Sequence, residues 1–244
     1  MDDRALWEFL MQRFGGWCAI AGAVLLVAAG IAFGNISFGH NAALALDNLS
    51  QYSAWYWAAV HTAVVAGAFM WVVAFMGVIT TFGNIPSRVL GHAGSVCLML
   101  GVALYAVSSF VSATALTSLA ARWEIASPIE RPEILRSADT LLSVLRGTWI
   151  GAVVLFHGVP FVLMGMAVAR EALYPRVLRW LGTVGGAGSM VSGALMLALP
   201  AATPPALFLF FGAVTAVWMA GIGLVMKRPA ERARKMRQKT LQVA

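Results

Sequence analysis

The chain has 244 residues, 60% of them hydrophobic and only 11% charged, with a mean hydropathy of +0.81 and a formal charge of +7. Soluble domains are about 45–50% apolar and about 25% charged, and a chain this short cannot bury so much apolar surface in one water-facing core. A cytosolic enzyme, a disordered segment and a secreted disulfide scaffold are excluded, and an integral membrane protein is left.

The chain opens Met1-Asp2-Asp3-Arg4, without the basic n-region of a cleaved signal, and the first apolar run, residues 17–33, outlasts a typical h-region. A retained span is expected there. Crossing a hydrocarbon core of about 30 Å takes about 20 mostly apolar residues. Six stretches qualify: 16–34, 55–79, 89–115, 140–168, 177–199 and 203–226. None alternates as a barrel strand does, and lipid tolerates no open backbone. The expected fold is an all-α bundle of six transmembrane helices over residues 1–226, followed by a basic tail over 227–244.

Arginine and lysine set the orientation. Arg4, Arg13, Arg88, Arg170, Arg176, Arg179 and the seven of the tail (Lys227, Arg228, Arg232, Arg234, Lys235, Arg237, Lys239) make thirteen on one side. Arg122, Arg131 and Arg136 are on the other, and Arg146 lies just inside the fourth span. Both termini are therefore expected in the cytoplasm of a plasma-membrane protein. The tail is expected to meet anionic lipid. Charge concentrated beside a span gives no face for nucleic acid.

Two outer loops are expected. Residues 35–54 are polar, contain His40 and Asp47, and lead into Trp55-Tyr56-Trp57, an interfacial aromatic belt. Residues 122–139 mix Glu124, Glu130 and Glu133 with three arginines and read as a solvated cap or short surface helix. Pro175 precedes the fifth span, and Thr203 followed by Pro204-Pro205 reads as an N-cap and first turn for the sixth. Pro160, inside the fourth span, is expected to kink it beside Phe156 and His157.

A shift of 88 residues aligns two hairpins without gaps. Met76-Gly77 falls on Met164-Gly165, Arg88-Val89-Leu90 on Arg176-Val177-Leu178, Gly94 on Gly182, Val96 on Val184 and Ala106 on Ala194. Chance in so apolar an alphabet gives about three identities over the 36 positions from 71 to 106. Either the second–third and fourth–fifth span pairs are parallel repeats, or inner hairpins share proline and arginine for topogenic reasons. The fifth span carries Gly182, Gly186, Gly188 and Ser192 at small-xxx-small spacing. That predicts close helix packing, within the bundle or against a second copy or other membrane protein.

Ionisable residues inside spans are functional candidates by default: here His61, His92, Arg146 and His157. Two axial histidines of a haem b must face each other at one depth. At about 1.5 Å per residue, His61 lies about 9 Å and His157 about 25 Å below the outer boundary, while His92 lies about 5 Å inside the inner one. No pair matches. Cys18 and Cys97, both in apolar runs, read as small core residues. His61 and Arg146 do share a depth, and Tyr105, Ser108, Ser109, Ser112 and Trp149 sit near it. Together they are a candidate outer-leaflet pocket in which Arg146 takes an anionic head group or carboxylate. No nucleophile elbow, zinc motif, phosphate loop or CxxC is present.

The run Phe156-His157-Gly158 to Met164-Gly165, with Leu173-Tyr174-Pro175-Arg176-Val177-Leu178-Arg179-Trp180-Leu181-Gly182, resembles a bacterial family of six-span membrane proteins of unknown function. The likeness is clearest over the C-terminal 90 residues. It implies the span count, a short basic cytoplasmic turn and a glycine-rich fifth helix, and it carries no functional residue. Two function classes follow from the residues: a non-enzymatic lipid- or small-ligand-binding protein or subunit of a larger complex, and a redox protein binding haem b or quinone through His61, His92 or His157. No buried carboxylate favours a proton-coupled transporter.

Overall fold

The computed structural model describes residues 3–34, 41–199 and 205–243, with backbone only for residues 4, 5, 34, 205 and 228–243. His40, Thr203 and Pro204 lie outside the described residues. All regular structure among those described is helical: α1 (Asp3–Gly34), α2 (Ala42–Ser50), α3 (Ala54–Ile79), α4 (Ile85–Val111), α5 (Thr117–Ile125), α6 (Arg131–Ala152), α7 (Val159–Ala169), α8 (Arg176–Ala198) and α9 (Pro205–Val243). Six helical stretches are long and apolar enough to span a membrane: Leu6–Phe33, Ala54–Ile79, Ile85–Ile125, Arg131–Ala169, Arg176–Ala198 and Ala206–Lys227.

Local chemistry explains the starts. Asn41 caps α2 by accepting the Ala43 N–H at 2.9 Å, and Ser53 caps α3 by accepting that of Tyr56 at 3.2 Å. Asn84 caps α4 by accepting the Ser87 N–H at 2.8 Å, with Pro86 in the first turn, where its missing N–H costs nothing.

The spans stand in a closed ring in chain order: α1 against α3, α3 against α4, α4 against α7, α7 against α8, α8 against α9, and α9 back on α1. Glycine opens every seam. A Cβ on Gly22 of α1 would lie 2.8 Å from the Gly67 carbonyl of α3, and one on Gly223 of α9 2.6 Å from that of Gly16. One on Gly101 of α4 would fall on the Leu155 carbonyl, and one on Gly186 of α8 would lie 2.7 Å from that of Gly158. In lipid, where apolar contact with a neighbour gains little over contact with acyl chains, such close backbone approach is what holds helices together. The glycines of α8 therefore serve neighbours inside the same chain, with Gly182 admitting Trp218 of α9. The ring encloses Trp71, Phe75, Phe156, Phe161 and Trp218, all buried.

The fourth span is not simply kinked at Pro160. Residues Val153–Gly158 form a π-helical segment between α6 and α7. Pro160, with no N–H to close an ordinary turn, sits in the first turn of α7 directly after it. A second π segment, Ser112–Leu116, joins α4 to α5.

Beyond that point both long helices run on and build a cap with α2. Ala42, Leu46 and Leu49 of α2, Trp57, Leu116, Ala120 and Trp123, and Ile134 and Ala138 of α6 form a second apolar core. Trp123 donates to Asp47 Oδ1 at 2.7 Å, and Arg131 stacks over the Trp123 ring at 4.8 Å. The described parts of the two expected outer loops thus pack as one unit. In the loop after α5, the Ser127 hydroxyl and N–H donate to Glu130 at 2.7 and 2.9 Å, holding its carboxyl below the usual range.

At the opposite end the α3–α4 and α7–α8 turns are tied together. Glu171 accepts from Asn84 Nδ2 at 2.6 Å and from the Gly83 N–H at 3.3 Å. Tyr174 donates to the Thr81 hydroxyl at 2.6 Å, whose own proton goes to Val78, and burial pushes the Tyr174 hydroxyl pKa up. These are the turns that the 88-residue shift superposes. The aligned Gly94 and Gly182 each admit the next helix of the ring, but Arg88 donates to its turn at Phe82 while Arg179, not the aligned Arg176, does so at Tyr174. The correspondence is partial.

Candidate functional site

Three clusters hold the residues singled out above. The first is the centre of the ring. His157, in the π segment, approaches Thr215 of α9 with Nδ1 at 3.3 Å; the Thr215 hydroxyl already donates to the Gly212 carbonyl at 2.8 Å, so the imidazole is the donor. Rings enclose it: Phe156 at 4.4 Å, Phe208 at 5.4 Å and Trp71 at 5.8 Å between centroids. Sequence reasoning missed Thr215, whose only signal is a hydroxyl in an otherwise apolar last span.

The second cluster surrounds His61, two turns into α3 below the cap. The residue is 5% exposed, and among the described residues neither ring nitrogen has a hydrogen-bond partner. Phe33 from the last turn of α1 meets it edge-on at 4.9 Å, and Trp57 lies at 5.5 Å. The Tyr52–Tyr56 stack, with centroids 5.3 Å apart, adjoins Trp57.

The third cluster is on α4 and α6. Tyr105 and Trp149 are in ring contact at 5.1 Å. Ser108 donates to the Thr148 hydroxyl at 2.8 Å, and Ser109 is buried beside it. Ser112 begins the π segment, half-buried. Trp149 reaches Phe208 at 5.6 Å, three residues into α9, so Arg146, one turn nearer the cap, stands level with the start of α9. Arg146 is exposed and makes no hydrogen bond or ion pair among the described residues. It lies about 160° round α6 from Thr148. α6 starts nine residues before the expected span, so Arg146 lies about four turns into the helix. No contact joins it to His61, which faces α1.

The histidines stand apart. Trp71, ten residues below His61 on α3, marks the level of His157, so the two lie about 15 Å apart along the helix axis. His92 is exposed on α4. Among the described residues no three His, Cys, Asp or Glu side chains cluster as a metal site would require. A cavity of about 110 Å³ opens in the cap between the α2–α3 junction and α5, lined by Tyr52, Thr117 and Glu124 among others.

Comparison with protein-family models, with curated proteins and with solved structures finds no match for the chain.

Proposed function

We propose that the protein is a non-enzymatic, multi-pass protein of the plasma membrane, both termini cytoplasmic, that holds an anionic amphiphile at its capped face. The orientation rests on thirteen basic residues at one end of the bundle against three in the cap. The binding role rests on one observation: an exposed guanidinium without a counter-ion among the described residues, at the level where α9 begins and one turn from the ring of Trp149. An arginine so placed offers two parallel donors to a phosphate or carboxylate. Trp149 lies one turn along α6 with Tyr105 in ring contact, while Ser108 meets Thr148 on the far side of that helix and His61 is in a site of its own. Lys227, 3.4 Å above the Trp17 ring, anchors the start of the tail, which lies against anionic lipid.

A role as subunit of a larger assembly draws support from Ile125 and Ile129, 85% and 89% exposed at the cap. Haem b would require a paired axial histidine that the separation of His61 and His157 does not offer. The proposed kinship with the six-span family rests on residues 156–182.

Native mass spectrometry from nanodiscs containing phosphatidylglycerol tests the binding role. Arg146→Ala is expected to lower retained phosphatidylglycerol at least tenfold and Arg146→Lys less. Equal retention by wild type and Arg146→Ala overturns it.

A further inference from the structure

His61 is a different kind of feature from Arg146. Its imidazole is almost wholly buried, yet neither nitrogen meets a donor or acceptor among the described residues. Buried polar groups in folded proteins are almost always partnered, and a group that is not asks for a ligand or water. Among the described residues no charged side chain pairs with it, so an ionic ligand would find no counter-charge there. A neutral imidazole offers one N–H and one lone pair, which suits a carbonyl or hydroxyl oxygen. The walls are aromatic, with Phe33 edge-on and Trp57 tilted by 32°. Such walls favour a planar ring over an aliphatic head. Phe33 closes the box from the last turn of α1, where a helix end yields more readily than a packed mid-helix.

We infer that His61, with Phe33 and Trp57, forms a site for a neutral lipid with a planar, carbonyl-bearing head ring, the quinone class. The imidazole N–H donates to a ring carbonyl, the aromatic side chains pack on the ring, and the alkyl tail stays in the bilayer. No electron transfer is required. The site is independent of the anionic amphiphile at Arg146.

Decylubiquinone is the probe, titrated into the full chain in detergent and followed by tryptophan quenching, with Trp57 the nearest reporter. Saturable quenching is expected in the wild type. His61→Leu should weaken it at least tenfold, His61→Gln, which keeps a donor and an acceptor, by no more than about threefold, and the exposed His92→Leu not at all. Imidazole ¹⁵N spectra of the unaltered protein give a readout that survives misfolding of a variant: the His61 nitrogens should shift on addition of the probe. Absence of saturable binding, equal binding by His61→Leu, an unmoved His61 ¹⁵N signal, or equal His61-dependent binding of 1-decanol would each overturn the assignment. Unchanged phosphatidylglycerol retention in His61→Leu separates failure here from failure at Arg146.

Discussion

The bundle and the cap are helical pieces of one chain, yet they are held in opposite ways. In the bundle glycines bring helix backbones together around an aromatic centre: Gly22 meets Gly67, Gly101 meets Leu155 and Gly223 meets Gly16. The cap is packed by large side chains, Leu46, Leu49, Trp123 and Ile134 among them, with a hydrogen bond from Trp123 to Asp47. The difference follows from the solvent. Water expels apolar side chains and so rewards bulk in the cap. Acyl chains do not, so the bundle gains by shape, and small residues give the closest fit.

That contrast can be broken by substitution. The largest effect is expected from Gly101→Val, which puts side-chain carbons into the Leu155 carbonyl and the π segment. It should cost about 3 kcal/mol or more and appear as loss of the monodisperse bundle on size exclusion. A well-folded variant would show that backbone proximity does not hold this seam. Next, Leu46→Ala, fully buried in the cap, should cost about 2 kcal/mol. It should raise hydrogen exchange in α2 and α5 while leaving α7 and α8 unchanged. If the bundle loosens equally, cap and bundle are one cooperative unit and the contrast is only compositional. Glu171→Gln should cost about 1 kcal/mol, read as a lower thermal midpoint, because it weakens the bonds joining the α3–α4 and α7–α8 turns. The smallest effect is at Glu130. Its pKa is lowered in the folded chain, so its contribution is present above the ordinary glutamate pKa and lost as pH falls through the lowered one. Acid should increase exchange at Ser127, and Ser127→Ala, which keeps the backbone N–H donor, should reduce that pH dependence without abolishing it.

The spans were legible because twenty consecutive apolar residues have one physical meaning. Less legible was what α4 and α6 do after leaving the bilayer. Residues 117–125 and 131–139 mix charge with apolar positions at helical spacing, and that pattern does not distinguish a surface helix from a cap that docks against another segment. Pro160 announced a disturbance, but the π segment packs against Gly101 and Gly186, which are distant in sequence. Of the candidate site, Tyr105 and Trp149 share a depth and do meet. His61 and Arg146 also share a depth, but their direction around the helix axis separates them, and a single sequence does not fix how a helix is rotated in its bundle.

The closed ring has a consequence for biogenesis. Each span is laid beside the one made just before it, so five seams can form in the order of synthesis. The sixth, where Gly16 meets Gly223, joins the first span to the last. Until the final helix inserts, α1 presents a glycine-lined groove to lipid, and the centre lacks Trp218 and the Thr215 acceptor for His157. A chain arrested before α9 is thus a ring with one open side, a recognisable substrate for membrane quality control.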